Sequence, residues 1–167
     1  MPKEAEGRNF EGQRTRTIPV GILMKDGMIF AIRDKSPGKY IQNPWRLLTG
    51  RQWLGEEKPA DLINLAKECG FTILFKEEIG QVNNGIDYNT QTLDTMIFNL
   101  CVFEVVEGDF SPKIIYTQDE YSYYNQLVNC EGQWFSTEEL KKQEPLHPLI
   151  EQALKILQKK NYDQNSD

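Results

Sequence analysis

Short apolar runs alternate with polar, turn-forming stretches through most of the chain. Ile18 to Met24 (IPVGILM) and Met28 to Ile32 (MIFAI) are two such runs, separated by Lys25-Asp26-Gly27. Asp-Gly between apolar runs predicts a β-hairpin, because the tight turn needs residues that tolerate positive φ. Residues 1 to 16 ahead of it are polar and predict a loose lead-in. After it, Arg33 to Asn43 is a loop centred on Pro37-Gly38, and Trp45 to Leu48 is a short extended piece. Thr49 to Gly55 is a glycine-bearing loop.

The period then changes from two to 3.6. Leu62, Leu65, Ala66 and Cys69 recur at helical spacing, with Ile63 beside them. Pro59 suits the first turn of this helix and Gly70 its C′ position. The opposite face carries Asp61, Asn64 and Glu68 at i, i+3 and i+7, with Lys67 next to Asn64.

Strand patterns resume at Phe71–Phe75 and Glu78–Val82, and Asn83 to Thr90 reads as turn. Leu93 to Val106 is a long run of β-formers closed by Glu107-Gly108-Asp109. Lys113–Thr117 and Gly132–Phe135 are further short strands; Gln118 to Asn129 reads equally as loop or short helix. Ser136 to Glu139 has the form of a capping box for a short helix. Pro145 then predicts the start of a last helix with Leu146, Leu149, Ile150, Ala153, Leu154 and Leu157 on one face.

This order of elements predicts an α+β protein, an α/β/α sandwich with a mixed β-sheet. The expected organisation is a lead-in over 1–16, a single domain over 17–160 and a frayed tail over 161–167. A chain of 167 residues suits one core. The net charge of −6 argues against generic attraction to a nucleic-acid backbone. No apolar run approaches the ~20 residues of a membrane-spanning helix. Cys69, Cys101 and Cys130 have no metal-ligand spacing, and read as reduced structural thiols. A cytoplasmic protein is the simplest reading.

Several phrases resemble the Nudix (MutT-like) superfamily, whose box reads G-x5-E-x7-R-E-U-x-E-E-x-G-U with U a bulky apolar residue. Gly50, five residues and Glu56 match its opening, and Cys69-Gly70-Phe71 matches its close. Trp45-Arg46-Leu47-Leu48-Thr49-Gly50 is similar to the family's W-x-L-P-G-G, and Gly132 to Leu140 to its late strand and helix cap. The centre of the box is degenerate. Counted back from Gly70, Ile63 falls on the Arg position, Asn64 on the first Glu, and Lys67 and Glu68 on the Glu-Glu pair. The helix is one residue short when counted from Gly50.

The resemblance implies water attack on a nucleoside diphosphate linked to another group, with Mg²⁺ or Mn²⁺ held by clustered carboxylates. Of the helix carboxylates used for this, only Glu68 remains. Asp61 and Glu56 are the substitutes on offer for the metal. Glu56, Glu68 and Glu120, the last within the acidic pair Asp119-Glu120, are the candidate catalytic residues. Alternatively Lys67, with Arg51 or Arg46, holds a diphosphate directly in place of a metal. Trp53 and Tyr123, the latter in the cluster Tyr121, Tyr123 and Tyr124, are candidates for stacking on a base. Each has a plainer reading: a solvated helix face for Asp61, Asn64, Lys67 and Glu68, a surface pair for Asp119-Glu120, and core or rim aromatics for Trp45, Trp53 and Trp134. His147, the single histidine, reads as structural. The expected function is therefore a Nudix-fold protein that binds a nucleotide or nucleoside diphosphate derivative with weak or no hydrolysis. The alternative is a divergent, metal-using Nudix hydrolase, with a protein-interaction role a third reading. Homodimers are common among relatives, and a nucleic-acid or membrane partner is not expected.

Overall fold

The computed structural model describes residues 6–8, 14–35, 44–50, 59–87, 94–109, 113–115 and 130–160, with side chains placed over 17–35, 44–50, 59–83, 97–109 and 130–160. The expectations for the loop at 36–43, the rest of the glycine loop at 51–55, the segment 118–129 and the tail at 161–167 lie outside these residues.

Two strands, β2 (Arg14–Lys25) and β3 (Met28–Asp34), form the expected hairpin. Asp26 and Gly27 both have positive φ, at 52° and 79°, as a two-residue type I′ turn requires. Within the lead-in, β1 (Glu6–Arg8) pairs antiparallel with Arg14 to Arg16. A ladder needs backbone groups rather than apolar side chains, so polarity alone hides it.

One short helix, α1 (Ala60–Glu68), follows β4 (Leu48–Thr49), and Gly70 after it has φ of 92°. The strands expected at Phe71–Phe75 and Glu78–Val82 are one strand, β5 (Thr72–Asp87). It is interrupted by irregularities at 72/73, 75/77, 78/80 and 83/86, and it absorbs the turn-like Asn83-Asn84-Gly85. Extra residues of this kind break period-two alternation, which makes one strand read as two. It pairs with β6 (Asp94–Glu107). β7 (Lys113–Ile115) and β8 (Cys130–Ser136) complete the sheet.

The strand order is β5-β6-β2-β3-β8-β7. Among the described strands, only β2 and β6 run parallel, in unbroken register from Thr15↔Thr95 to Met24↔Glu104. The expected mixed sheet is therefore present. β2 and β3 pair only beside their turn, at Met24↔Ile29 and Lys25↔Met28. Beyond that point the sheet divides into a β5-β6-β2 half and a β3-β8-β7 half. Residues 46–49 fill the division: Arg46 bridges to Ile32 of β3, while Leu48 and Thr49 pair with Gly21 and Val20 of β2.

Helices cover both faces. Leu62, Leu65, Ala66 and Cys69 of α1 pack with Leu23, Phe103, Val105, Phe30 and Phe71 on one side. On the other, α3 (Pro148–Lys159) sets Leu149, Ile150, Ala153, Leu154 and Leu157 against Ile22, Ile29, Leu100 and Phe135, with Leu140 of α2 (Thr137–Lys141). The capping box is closed: Ser136 Oγ accepts from Glu139 N at 3.1 Å, and Glu139 Oε1 accepts from Ser136 N at 2.8 Å. No helix among the described residues is long and apolar enough to cross a membrane.

The last helix begins at Pro148, three residues later than Pro145 suggested. His147 caps it, its Nδ1 accepting from Leu149 N at 3.0 Å. A bare Nδ1 is required, and burial, then the nearby Arg46 charge, hold the imidazole's pKa below its ordinary value. The unfolded chain therefore binds this proton more readily than the folded one. The cap's contribution is complete above the ordinary histidine range and is lost as pH falls below it. Wild-type Tm should drop between about pH 7 and 5 more than that of His147→Asn, in which the cap survives without titrating. Parallel melting curves in that window check this; equal slopes would assign the cap no pH dependence.

Candidate functional site

The start of α1 is set by close backbone approach. Pro59, extended at φ −77° and ψ 90°, precedes the helix and supplies no side-chain cap; its carbonyl accepts from Leu62 N at 3.1 Å. Gly50 N donates to Pro19 O at 2.8 Å. A Cβ on Gly50 would lie 2.8 Å from Pro19 Cγ and 3.0 Å from Asp61 Cβ. The first turn of α1 thus rests on β2 at a point where only glycine fits without displacement.

This places Asp61, half-buried, at the root of the helix, where a carboxylate is favoured by the helix dipole. Asn64, Lys67 and Glu68 project from the exposed side. Partial burial pushes the Glu68 carboxyl above its ordinary pKa. Asp61 and Glu68 therefore lie along one helix side with Asn64 between them and Lys67 adjoining.

The sheet beneath continues the site. Odd-numbered residues of β6 face α1, as Cys101, Phe103 and Val105 belong to the core on that side while Phe98, Leu100 and Val102 belong to the other. Asn99 falls on the α1 side by the same alternation. Its register partners are Pro19 of β2 and Gln81 of β5. Glu78 is opposite Cys101 and hydrogen-bonded to Gln81. Desolvation raises the Glu78 carboxyl. Burial, followed by the Glu78 charge, pushes the Cys101 thiol up to about 12, so it stays neutral.

Across the division of the sheet stands a second polar group. Arg46 Nη2 donates to Asp34 Oδ1 at 2.9 Å and lies 3.8 Å from Cys130 Sγ, and that thiol donates to Asp34 Oδ1 at 3.2 Å. Burial, then the bond to Asp34, pushes Cys130 up to about 12, which rules it out as a thiolate nucleophile near neutral pH. Arg46 is paired with Asp34. Cys69, Cys101 and Cys130 are free and buried, in line with structural thiols.

Of the residues singled out in the sequence, Asp61, Lys67 and Glu68 lie on α1. Glu56, Arg51, Trp53, Glu120 and Tyr123 lie outside the described residues. Among the described residues, no three His, Cys, Asp or Glu side chains are grouped to hold a metal ion. A hard divalent ion needs several clustered oxygens, and Glu56, the remaining candidate ligand, is not among the described residues. Trp45 and Trp134 are core aromatics: Trp45 meets Phe135 edge-on at 4.9 Å and lies 4.4 Å beneath Arg33 Cζ, and Trp134 lies 5.5 Å from both Phe30 and Phe71. Asn99, Glu78, Gln81 and Asp34 were not marked by the sequence reading, nor was the grouping of Asp34 with Arg46 and Cys130. The available signal was Asn99, a lone amide in a strand otherwise apolar on both faces at that level.

Comparison with known proteins agrees with this layout. No family model matches the chain, and no curated protein is significantly similar to it in sequence. Solved structures do match. A NUDIX hydrolase from Nitrosomonas europaea superposes over 87% of this chain and 90% of its own, with TM-score 0.62 and 16% identity. A MutT NUDIX hydrolase from Burkholderia pseudomallei covers 86% of this chain and 98% of its own, with TM-score 0.55 and 15% identity. A UDP-X diphosphatase covers 87% of this chain and 64% of its own, with TM-score 0.54 and 11% identity. These structures match over most of this chain: it has the Nudix fold.

Proposed function

We propose that the α1 face and the divided sheet beside it bind a nucleotide or nucleoside diphosphate derivative, with weak or no hydrolysis. The observation that carries this reading is the composition of the α1 face. On a fold whose matched relatives are named as hydrolases, this helix offers Asp61, Asn64, Lys67 and Glu68. An amide and an ammonium stand where the resemblance calls for carboxylates. Lysine is a good point-charge partner for phosphate. A positive side chain about 5–6 Å from a neighbouring ligand position repels a divalent cation instead.

The competing reading is a hydrolase that uses Mg²⁺ or Mn²⁺ through Asp61, Glu68 and Glu56, with Glu120 as base. Arg51, Trp53 and Tyr123 are proposed contacts in either case. A cytoplasmic location and a homodimer are compatible with both.

Thermal shift and calorimetry with nucleoside diphosphate derivatives test the binding reading. Stabilisation of several degrees is expected, unchanged by chelator and weakened roughly 10-fold in affinity by Lys67→Ala. Stabilisation that appears only with added Mg²⁺, and survives Lys67→Ala, would favour the hydrolase.

A further inference from the structure

The segment that enters the α1 site runs through the division of the sheet and is tied down at both ends. At its start, Trp45 N donates to Pro145 O at 3.1 Å and His147 N donates to Trp45 O at 3.0 Å. Arg46 exchanges both backbone bonds with Ile32, at 2.8 and 2.9 Å. At its end, Gly50 N donates to Pro19 O, and Gly50 lies against Asp61. We infer that His147 is a proton-operated clamp, which ties the start of this segment to the start of α3 at neutral pH and releases it in mild acid.

His147 acts at two places at once. Its backbone N–H holds Trp45, and its Nδ1 accepts from Leu149 N. Pro148 has no N–H, so Leu149 N is the first donor that α3 presents. An imidazolium carries protons on both nitrogens and accepts nothing. Protonation in place would set an N–H against the Leu149 N–H, at the positive end of the helix dipole. The ring takes a proton by leaving the cap, and the restraint that fixes residue 147 beside Trp45 leaves with it.

The charges around the ring agree with this direction. Burial, then the Arg46 guanidinium, disfavour the proton while the clamp is closed. Arg46 is paired with Asp34, and Arg33, stacked over Trp45, is paired with Glu131. Glu144 and Glu151 are exposed and line an open pocket with Pro145 and Leu146; Lys141, on the same pocket, is paired with Glu138. Those two carboxylates favour the proton once the ring is released. Arg46 therefore couples the proton to the segment itself, because the cation that opposes protonation sits on the strand that the clamp holds. Release loosens the segment that keeps Gly50 against Asp61 and weakens ligand binding on the α1 face. That last step rests on the binding reading above; the clamp does not.

Amide hydrogen exchange, corrected for intrinsic rates, tests the clamp in wild type, His147→Asn and His147→Ala. In wild type, protection at Trp45, His147 and Leu149 should fall by up to about 10-fold between pH 7.5 and 5.5, the limit set by a released histidine of ordinary pKa. Leu100 and Val102 in β6 should stay constant. His147→Asn, which caps without titrating, should keep the protection at all pH values, and His147→Ala should lack it at all of them. A nucleoside diphosphate sugar, whose phosphates do not titrate in this range, should bind more weakly at pH 5.5 to wild type and equally at both pH values to His147→Asn. Protection independent of pH in wild type, or equally pH-dependent in His147→Asn, would overturn the inference. A pH-dependent clamp with sugar-nucleotide affinity unchanged would overturn its link to the site. A pH-dependent clamp in a protein that binds no sugar nucleotide at either pH would uphold the clamp and remove the binding reading.

Discussion

Replacing Phe71 with alanine should cost about 3–5 kcal/mol of stability, the usual range for emptying a buried aromatic site. Phe71 is 1% exposed. Its ring meets Phe30 edge-on at 4.9 Å and Trp134 at 5.5 Å, and Phe30 and Trp134 are themselves 5.5 Å apart. The three rings come from β3, β8 and the turn after α1, so they join the helix to the β3–β8 half of the sheet. Gly108 presses on the same ring, and a Cβ there would also lie 2.8 Å from Gly70 O. Phe71 has little freedom to relax, and neighbours on both sides would face the void. Denaturant unfolding reads the loss, with exposed Leu74→Ala as a control that should change stability by less than about 0.5 kcal/mol. A Phe71→Ala loss below about 1 kcal/mol would mean that the trio does not hold α1 in place.

Lys67→Glu should raise Mn²⁺ affinity roughly 100-fold at low ionic strength. Reversing one charge changes the local field by two units acting on a 2+ ion. At about 6 Å in water-like dielectric that is ~3 kcal/mol. Screening near 0.15 M salt should cut the gain to about 10-fold. The substitution also supplies a third carboxylate beside Asp61 and Glu68. Its neighbour is Asn64, one turn back, so Asn64→Glu combined with it should add further. Calorimetric Mn²⁺ titrations at two salt concentrations check the size and the slope. An unchanged affinity would place Lys67 away from any metal-competent arrangement, and the side chain would then be an ordinary surface lysine.

The sequence carried these elements unequally. The hairpin was plain because Asp26-Gly27 can adopt positive φ where a side-chain-rich pair cannot. The stripe Leu62, Leu65, Ala66 and Cys69 was plain because helical packing repeats every 3.6 residues, and all four are buried. The capping box at Ser136 and Glu139 was equally readable, since its two bonds need only those side chains at that spacing. β5 was harder, because its irregularities shift which face each residue occupies. The β1 ladder was hidden because backbone pairing leaves no apolar trace. The start of α3 was displaced by a choice between two prolines, which His147 decides as N-cap by accepting from Leu149 N.

Of the candidate site, the placement of Asp61, Lys67 and Glu68 on α1 followed from helix periodicity alone. The Asp34–Arg46–Cys130 group joins residues up to 96 positions apart through β3–β8 register, which local pattern does not encode. Asn99 needed both the strand parity and the identity of the helix above it.

The proposed role of the α1 face, holding a diphosphate without a divalent metal, can be tested by turnover. The most direct measurement is phosphate release over nucleoside diphosphate sugars, dinucleoside polyphosphates and nucleoside triphosphates with Mg²⁺ or Mn²⁺, run on wild type and on Glu68→Gln. The expected result is no metal-dependent release above background from either protein, alongside metal-independent binding of the same compounds. Metal-dependent turnover by wild type that disappears in Glu68→Gln would contradict it.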